Sequence, residues 1–124
     1  MSNLTIRQRR TGPVVILAID GKITLGAGST ALRVAVTDLL EGGSKRILLD
    51  LAEVSSLDSS GLGELVSAYA RAHRFGGELK LLNLSPRVFG LLEMTKLVTI
   101  FEIFETEPDA LRSFASSRAA HATL

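Results

Sequence analysis

Two adjacent hydroxyls, of Ser59 and Ser60, are the groups best placed to do chemistry in this sequence. They lie in Leu57–Leu65, where the pattern predicts that a strand ends and a helix begins. The first backbone N–H groups of a helix have no partner within it and carry partial positive charge, so they stabilise an anion attached there. The position therefore suits a phosphoserine, and the missing side chains of Gly61 and Gly63 predict access for another protein's active site.

Asp58, Ser59 and Ser60 also have a purely structural interpretation. Aspartate and serine are preferred N-cap residues, and capping is the more common role of such a cluster. The Asp58 carboxylate either orients the neighbouring hydroxyl or fixes the turn by accepting hydrogen bonds from backbone N–H groups, and the pattern favours the second role. Spacing alone leaves the capping and phosphorylation interpretations open.

A second candidate site is the glycine-containing segment Gly26–Ala31. It fits the pattern G-x-G-x-x-A ahead of a predicted helix, and Asp50 follows at about the distance of a ribose-binding acid. However, Gly21–Leu25 separate the first glycine from the apolar strand before it, and a chain of 124 residues leaves little room for a further substrate site. Nucleotide binding is therefore an alternative function only.

Other catalytic and metal-binding chemistry finds little support in the sequence. There is no cysteine, and the only histidines, His73 and His121, are far apart and are expected at the surface. Ser59 lacks the glycine two positions earlier that the nucleophile turn of a hydrolase requires. We therefore expect no metal site, no bound cofactor and no enzymatic activity.

Hydrophobic periodicity predicts the elements that position these residues. Two N-terminal strands joined at Gly12–Pro13 predict a hairpin, with the second strand in the apolar run Val14–Ile19. Later strands are predicted at Arg46–Leu51, Glu78–Leu84 and Val98–Phe104. Helices are predicted to start near Ser29 as a cap, near Ser60, at Ser85–Pro86 and at Glu107–Pro108.

The order of these elements predicts the fold class. Strands that alternate with helices imply parallel crossovers, and the hairpin adds one antiparallel strand. The prediction is an α/β fold with a mixed sheet of about five strands and about four helices, in the order ββαβαβαβα. It forms a single domain over residues 1–115, followed by a C-terminal tail over residues 116–124.

Composition narrows the possible partners. Lysine and arginine number 14 and aspartate and glutamate 13, so the formal net charge of +1 provides no broad field that attracts nucleic acid. No apolar run approaches the roughly 18 residues of a membrane span, and the N-terminus does not resemble a signal peptide. We expect a cytoplasmic protein that contacts neither nucleic acid nor membrane.

Several segments together resemble a known family. Besides Leu57–Leu65, they are the strand Ile47–Leu51, the strand entry Gly76–Leu79, the helix start Leu84–Pro86 and the segment Met94–Leu97. At this spacing they are similar to the STAS family, named for sulfate transporters and anti-sigma factor antagonists. The resemblance extends over roughly residues 4 to 115 and is greatest to the stand-alone antagonists.

The resemblance implies a partner-switching function in transcription regulation. The serine directly after the aspartate is the family's phosphoacceptor, which is Ser59 here. The unmodified antagonist binds an anti-sigma factor serine kinase of the histidine-kinase-like ATPase fold, which phosphorylates and releases it, and a metal-dependent serine phosphatase resets it. The implied partner-binding residues are Asp58, Ser59, Ser60, Gly61, Leu62, Gly63 and Thr24.

One loop departs from the pattern of the family. Antagonists often carry Gly-acidic-apolar-Asp after the second strand, beside the phosphorylation site, whereas this chain has Gly21-Lys22-Ile23-Thr24. Lys96 likewise stands where a glycine is common. The expected form is a monomer or weak homodimer, and the alternative within the family is a scaffold subunit of a stress-signalling assembly.

Overall fold

A five-stranded sheet organises the chain in the computed structural model, which describes the backbone of residues 4–122 and the side chains of residues 4–116. The strands are β1 (Leu4–Thr11), β2 (Val14–Ile23), β3 (Arg46–Leu57), β4 (Glu78–Leu82) and β5 (Ile103–Phe104). The helices are α1 (Ala27–Glu41), α2 (Ser59–Arg74), α3 (Pro86–Met94) and α4 (Glu107–Ala122), with a 3-10 turn at Leu97–Thr99.

The topology confirms the predicted mixed sheet and element order. The strands lie side by side in chain order. β1 pairs with β2 antiparallel, and every later pair is parallel. Parallel neighbours need a crossover that returns the chain to the same end of the sheet, and the three crossovers contain α1, α2 and α3.

Helices cover both faces of the sheet. The larger apolar cluster lies between the sheet and α1, α2 and α3, and it includes the fully buried Leu32 and Leu65. The smaller cluster lies under α4, where Phe114 packs with Leu48. Because both faces are covered, β2 and β3 contain near-continuous apolar runs.

The carboxyl halves of β2 and β3 extend beyond the predicted strands. The sequence indicates ends at Ile19 and Leu51, but pairing continues to Ile23 opposite Leu57. The extension is polar on one side and buried on the other, since Val54 is 3% exposed while its neighbours are solvated. This two-stranded ribbon carries the loops at which α1 and α2 begin.

The predicted strand Val98–Phe104 is wrong over most of its length. Only Ile103–Phe104 pairs with β4. Before it, Lys96 adopts a left-handed conformation with φ 64°, and the 3-10 turn at Leu97–Thr99 follows. Val98 then packs on the core from a turn, because an apolar run can be buried without pairing. Glycine adopts this left-handed conformation with less strain than lysine does.

The ends of two helices also differ from prediction. Ser29 is not the cap of α1, which starts at Ala27 after Gly26, and the Ser29 hydroxyl donates only a long 3.4 Å bond to the Gly26 carbonyl. α4 continues to Ala122, so the backbone of positions 116–122 is helical where a tail is predicted. The domain boundary at residue 115 stays a prediction, and the side chain of His121 lies outside the described residues.

Within residues 4–122, no helix is both long and apolar enough to cross a membrane.

Candidate functional site

Two helix starts meet at the carboxyl end of the ribbon. Ile23 and Leu57 are the last paired residues of β2 and β3. The chain then enters α1 through residues 24–26 and α2 through Asp58. Because parallel strands end at the same edge of a sheet, the loop before α1 lies beside the start of α2.

Asp58 ties these two helix starts together. It is the N-cap of α2, and one carboxylate oxygen accepts a hydrogen bond from the Gly61 amide at 2.9 Å. The other oxygen accepts from the Leu25 amide, also at 2.9 Å. These two bonds, that from Leu25 above all, lower the pKa of Asp58. The predicted role of Asp58 in fixing the turn is confirmed, and its carboxylate is ionised at neutral pH.

Ser59 is the first residue of α2, and it is exposed. In the part of the chain that the structure describes, no side-chain hydrogen bond engages its hydroxyl, whereas the neighbouring Ser60 is half-buried. An incoming active site can therefore reach the Ser59 oxygen without opening the fold. Of the two residues whose hydroxyls the sequence identifies, Ser59 is the more exposed one.

The two glycines of α2 have different roles, which corrects the prediction that both admit a partner. Gly61 is buried, and a Cβ at this position would lie 2.1 Å from the carbonyl oxygen of Ile23. Its missing side chain lets α2 pack against the end of β2. Gly63 is exposed, and a Cβ there would meet nothing within 4 Å. Only Gly63 leaves open space beside Ser59.

The remaining predicted partner-binding residues are less accessible. Leu62 is half-buried and packs against the core. Thr24 is half-buried, and its carbonyl accepts a hydrogen bond of 3.0 Å from the Ser29 amide. The loop containing Thr24 does lie beside the serines, because Leu25 donates to Asp58. Lys22, at which the chain departs from the family pattern, is exposed at the same edge.

The sequence reasoning did not identify Leu25 and Glu64. The Leu25 amide contacts Asp58 from 33 positions away, so no local motif reveals it. Glu64 is buried between α1 and α2, where it accepts a 3.2 Å hydrogen bond from Arg33 and lies 3.7 Å from Arg71. Arg33 lies on α1 and Arg71 on α2, so the hydrogen bond from Arg33 connects the two helices at this buried acid.

The segment Gly26–Ala31 does not form the nucleotide-binding site of the alternative function. Gly28 is buried, and a Cβ there would lie 2.4 Å from the Lys22 carbonyl, so this glycine serves helix packing. Asp50 lies within β3 and lines a pocket with Arg9 on the face that carries α4. The glycine segment starts α1 on the opposite face, so acid and glycines are not brought together.

Comparison with known proteins identifies relatives over nearly the whole chain. The profile of the STAS domain matches residues 5–110. The anti-sigma-B factor antagonist of Listeria monocytogenes is 35% identical over 105 residues, which cover 85% of this chain and 90% of the relative. The similarity therefore extends over most of the length of that relative.

Solved structures share the fold. An anti-sigma factor antagonist from Mycobacterium paratuberculosis superimposes with a TM-score of 0.80 at 22% identity, over 90% of this chain and 94% of that chain. The Bacillus cell fate determinant SpoIIAA, in its phosphorylated form, superimposes with a TM-score of 0.68 at 20% identity, over 88% of this chain and 98% of that chain.

Proposed function

The chain belongs to the STAS domain family, and from this premise we propose that it is an anti-sigma factor antagonist whose binding is switched by phosphorylation of Ser59. The observation that supports this proposal best is the exposed Ser59 hydroxyl at the first position of α2. A phosphoacceptor must enter the active site of another protein, and Ser59 meets this requirement in the folded chain.

The charge around Ser59 supports a switch that acts by repulsion. A phosphate adds about −1.5 to −2 charges at neutral pH. It would lie next to Asp58, whose lowered pKa keeps it ionised and which already accepts the hydrogen bond of the Gly61 amide. The phosphate would therefore share the start of α2 with the negatively charged Asp58 carboxylate. A partner that buries both anions must remove water from them, which lowers its affinity.

The partners proposed for this cycle are enzymes. An anti-sigma factor serine kinase of the histidine-kinase-like ATPase fold binds the unmodified chain, transfers the γ-phosphoryl group of ATP to Ser59 and releases the product. A metal-dependent serine phosphatase restores the hydroxyl. These partners carry out the catalysis, and the chain acts as a binding protein. Because the cycle consumes ATP, we place it in the cytoplasm.

The test is phosphorylation by a panel of purified anti-sigma factor serine kinases from the source genome. With ATP, one of these kinases is expected to add a single phosphate, which peptide mass spectrometry places on Ser59. The variant Ser59→Ala is expected to remain unlabelled. The matched variant Ser60→Ala removes the neighbouring hydroxyl and is expected still to gain one phosphate, placed on Ser59.

A charge-mimicking variant tests the release step. Ser59→Asp is expected to bind the labelling kinase at least tenfold more weakly than wild type, because it places a second carboxylate beside Asp58. Isothermal titration calorimetry in the presence of ADP measures this affinity. Labelling of Ser59→Ala at the wild-type rate, or no labelling of wild type by any kinase, would overturn the proposal.

A further inference from the structure

A cavity opens at the carboxyl ends of β4 and β5, and none of its lining residues belongs to the region of Ser59. Its volume is about 690 Å³, within the range of about 300–1,000 Å³ that is usual for small-molecule sites. Leu82 and Phe104 are the last paired residues of the two strands, and the cavity lies between this edge, the start of α3 and the segment 98–101. In open α/β sheets, ligands bind outside the carboxyl ends of the strands.

Three phenylalanines line this cavity. Phe89 comes from α3, Phe101 follows the 3-10 turn, and Phe104 ends β5. Phe101 is buried, and its ring contacts that of Tyr69 edge to face, with the ring centroids 5.3 Å apart. Phe89 is 38% exposed, so part of the wall is open to solvent. Aromatic rings around one space attract a cation, because the face of each ring carries partial negative charge.

The only charge among the lining residues is negative. Glu105 is exposed, and within residues 4–116 no hydrogen bond or ion pair engages its carboxylate. No arginine, lysine or histidine lines the cavity. Asn83 adds a side-chain amide that has no hydrogen-bond partner among the same residues, while its backbone amide donates to the Phe104 carbonyl at 2.9 Å. The cavity therefore presents a carboxylate and three rings without a cation of its own.

Lys80 does not fill this role, although it lies near one of the rings. Its Nζ atom is 5.9 Å from the centroid of the Phe104 ring, and the residue is buried under α4 and does not line the cavity. Glu78 and Glu102 lie 3.6 Å and 3.2 Å from the same Nζ atom. The Lys80 charge is thus compensated by these two acids, and Glu105 remains available to a cation from outside.

We propose that this cavity binds a small organic cation, with its ammonium group among the phenylalanine rings and near the Glu105 carboxylate. A quaternary ammonium group fits best, because aromatic side chains attract it and it needs no hydrogen-bond acceptors. The Asn83 amide donates to or accepts from a polar group elsewhere on the ligand. The inference goes beyond the proposed function and does not depend on it, since it gives the chain a second kind of ligand.

The test is an NMR titration of the isotope-labelled full chain with choline. Choline is expected to shift the backbone amide signals of the cavity residues until they saturate. The neutral alcohol in which carbon replaces the nitrogen of choline has the same shape, and it is expected to bind about fivefold more weakly or worse, because the attraction of rings and carboxylate is lost. Benzyltrimethylammonium is expected to bind more tightly than choline, since its ring buries additional apolar area.

Two variants and a matched control assign the binding to this cavity. Phe89→Leu removes one ring but keeps an apolar side chain, and Glu105→Gln removes the charge. Each is expected to weaken choline binding about threefold or more. Phe75 is 36% exposed, almost as much as Phe89, but it follows α2 and does not line the cavity. Phe75→Leu is therefore expected to bind choline within twofold of wild type.

Circular dichroism melts check that each variant is folded. Absence of saturable shifts at the cavity with both choline and benzyltrimethylammonium would overturn the inference. Equal affinity for choline and the neutral alcohol would do the same, because the cavity would then not select a cation. Wild-type affinity in both Phe89→Leu and Glu105→Gln would place the cation elsewhere and also overturn it. None of these results bears on Ser59, because no measurement uses the kinase.

Discussion

The close contact of Gly61 with β2 makes a sharp prediction for the variant Gly61→Ala. The added Cβ would lie 2.1 Å from the Ile23 carbonyl oxygen and 2.6 Å from a Leu57 methyl group. Real Cβ atoms essentially never come closer than 3.0 Å to such atoms, so α2 must move by about 1 Å relative to β2. The carbonyl belongs to the last paired residue of β2, so its displacement would also disturb the pairing of Ile23 with Leu57.

The expected destabilisation follows from two opposing contributions. Overpacking typically costs about 1–3 kcal/mol, and contact with backbone favours the upper end of this range. Replacing glycine by alanine in a helix returns up to about 1 kcal/mol. The net loss in the free energy of unfolding for Gly61→Ala is therefore about 1–2 kcal/mol. Because the Gly61 amide also donates to Asp58, the same shift disturbs the hydrogen bond that holds Leu25.

Gly63→Ala is the matched control on the same helix. A Cβ at this position meets nothing within 4 Å, so only the helix propensity changes and the variant is expected to be more stable by about 0.5–1 kcal/mol. Urea unfolding followed by circular dichroism measures both variants by linear extrapolation. If Gly61→Ala is as stable as wild type, or if Gly63→Ala loses as much stability as Gly61→Ala, the packing argument is wrong.

Three further predictions concern Asp58 and the region under α4. Asp58→Asn is expected to be less stable than wild type at pH 7 in urea titrations. The difference in stability should shrink below about pH 4, because the stability that comes from a lowered carboxyl pKa is lost as the Asp58 carboxylate becomes protonated. Phe114→Ala should lose about 3–5 kcal/mol in urea unfolding, since Phe114 fills the core under α4. The free energy of unfolding of Lys80→Met should stay within about 1 kcal/mol of the wild-type value in the same measurement. Lys80 is 1% exposed and lies between Phe104 and Phe114, so a methionine keeps the apolar contacts. Its partners Glu78 and Glu102 reach solvent, so they are not left as buried charges when the ammonium group is removed.

Hydrophobic patterning cannot predict the burial of Lys80. It occupies an inward position of β4, and its ammonium group donates to Ser113 and lies 3.2 Å from Glu102. Its aliphatic stem is covered by α4 while the charge finds partners at the edge of the cluster. In a sequence pattern, a lysine at this position indicates an exposed side chain. The burial of Lys80 under α4 therefore follows from the tertiary packing alone.

The region of Ser59 shows how local and distant residues share one site. The placement of Asp58 and Ser59 at a strand-to-helix junction follows from residues within one stretch of chain. The exposure of Ser59 and the burial of Gly61 depend on how α2 lies against β2. Two glycines of similar appearance therefore differ in role, one for internal packing and one beside open solvent.

By itself the sequence determined the order of strands and helices, the mixed sheet and the position of Ser59 at the start of α2, because hydrophobic periodicity and helix caps act over a few neighbouring residues. Only the tertiary structure decided that Leu25 meets Asp58, that Gly61 must accommodate Ile23, and that most of the segment 98–104 is not a strand. These contacts join positions far apart in the chain, and their geometry depends on how the helices settle on the sheet after the local elements have formed.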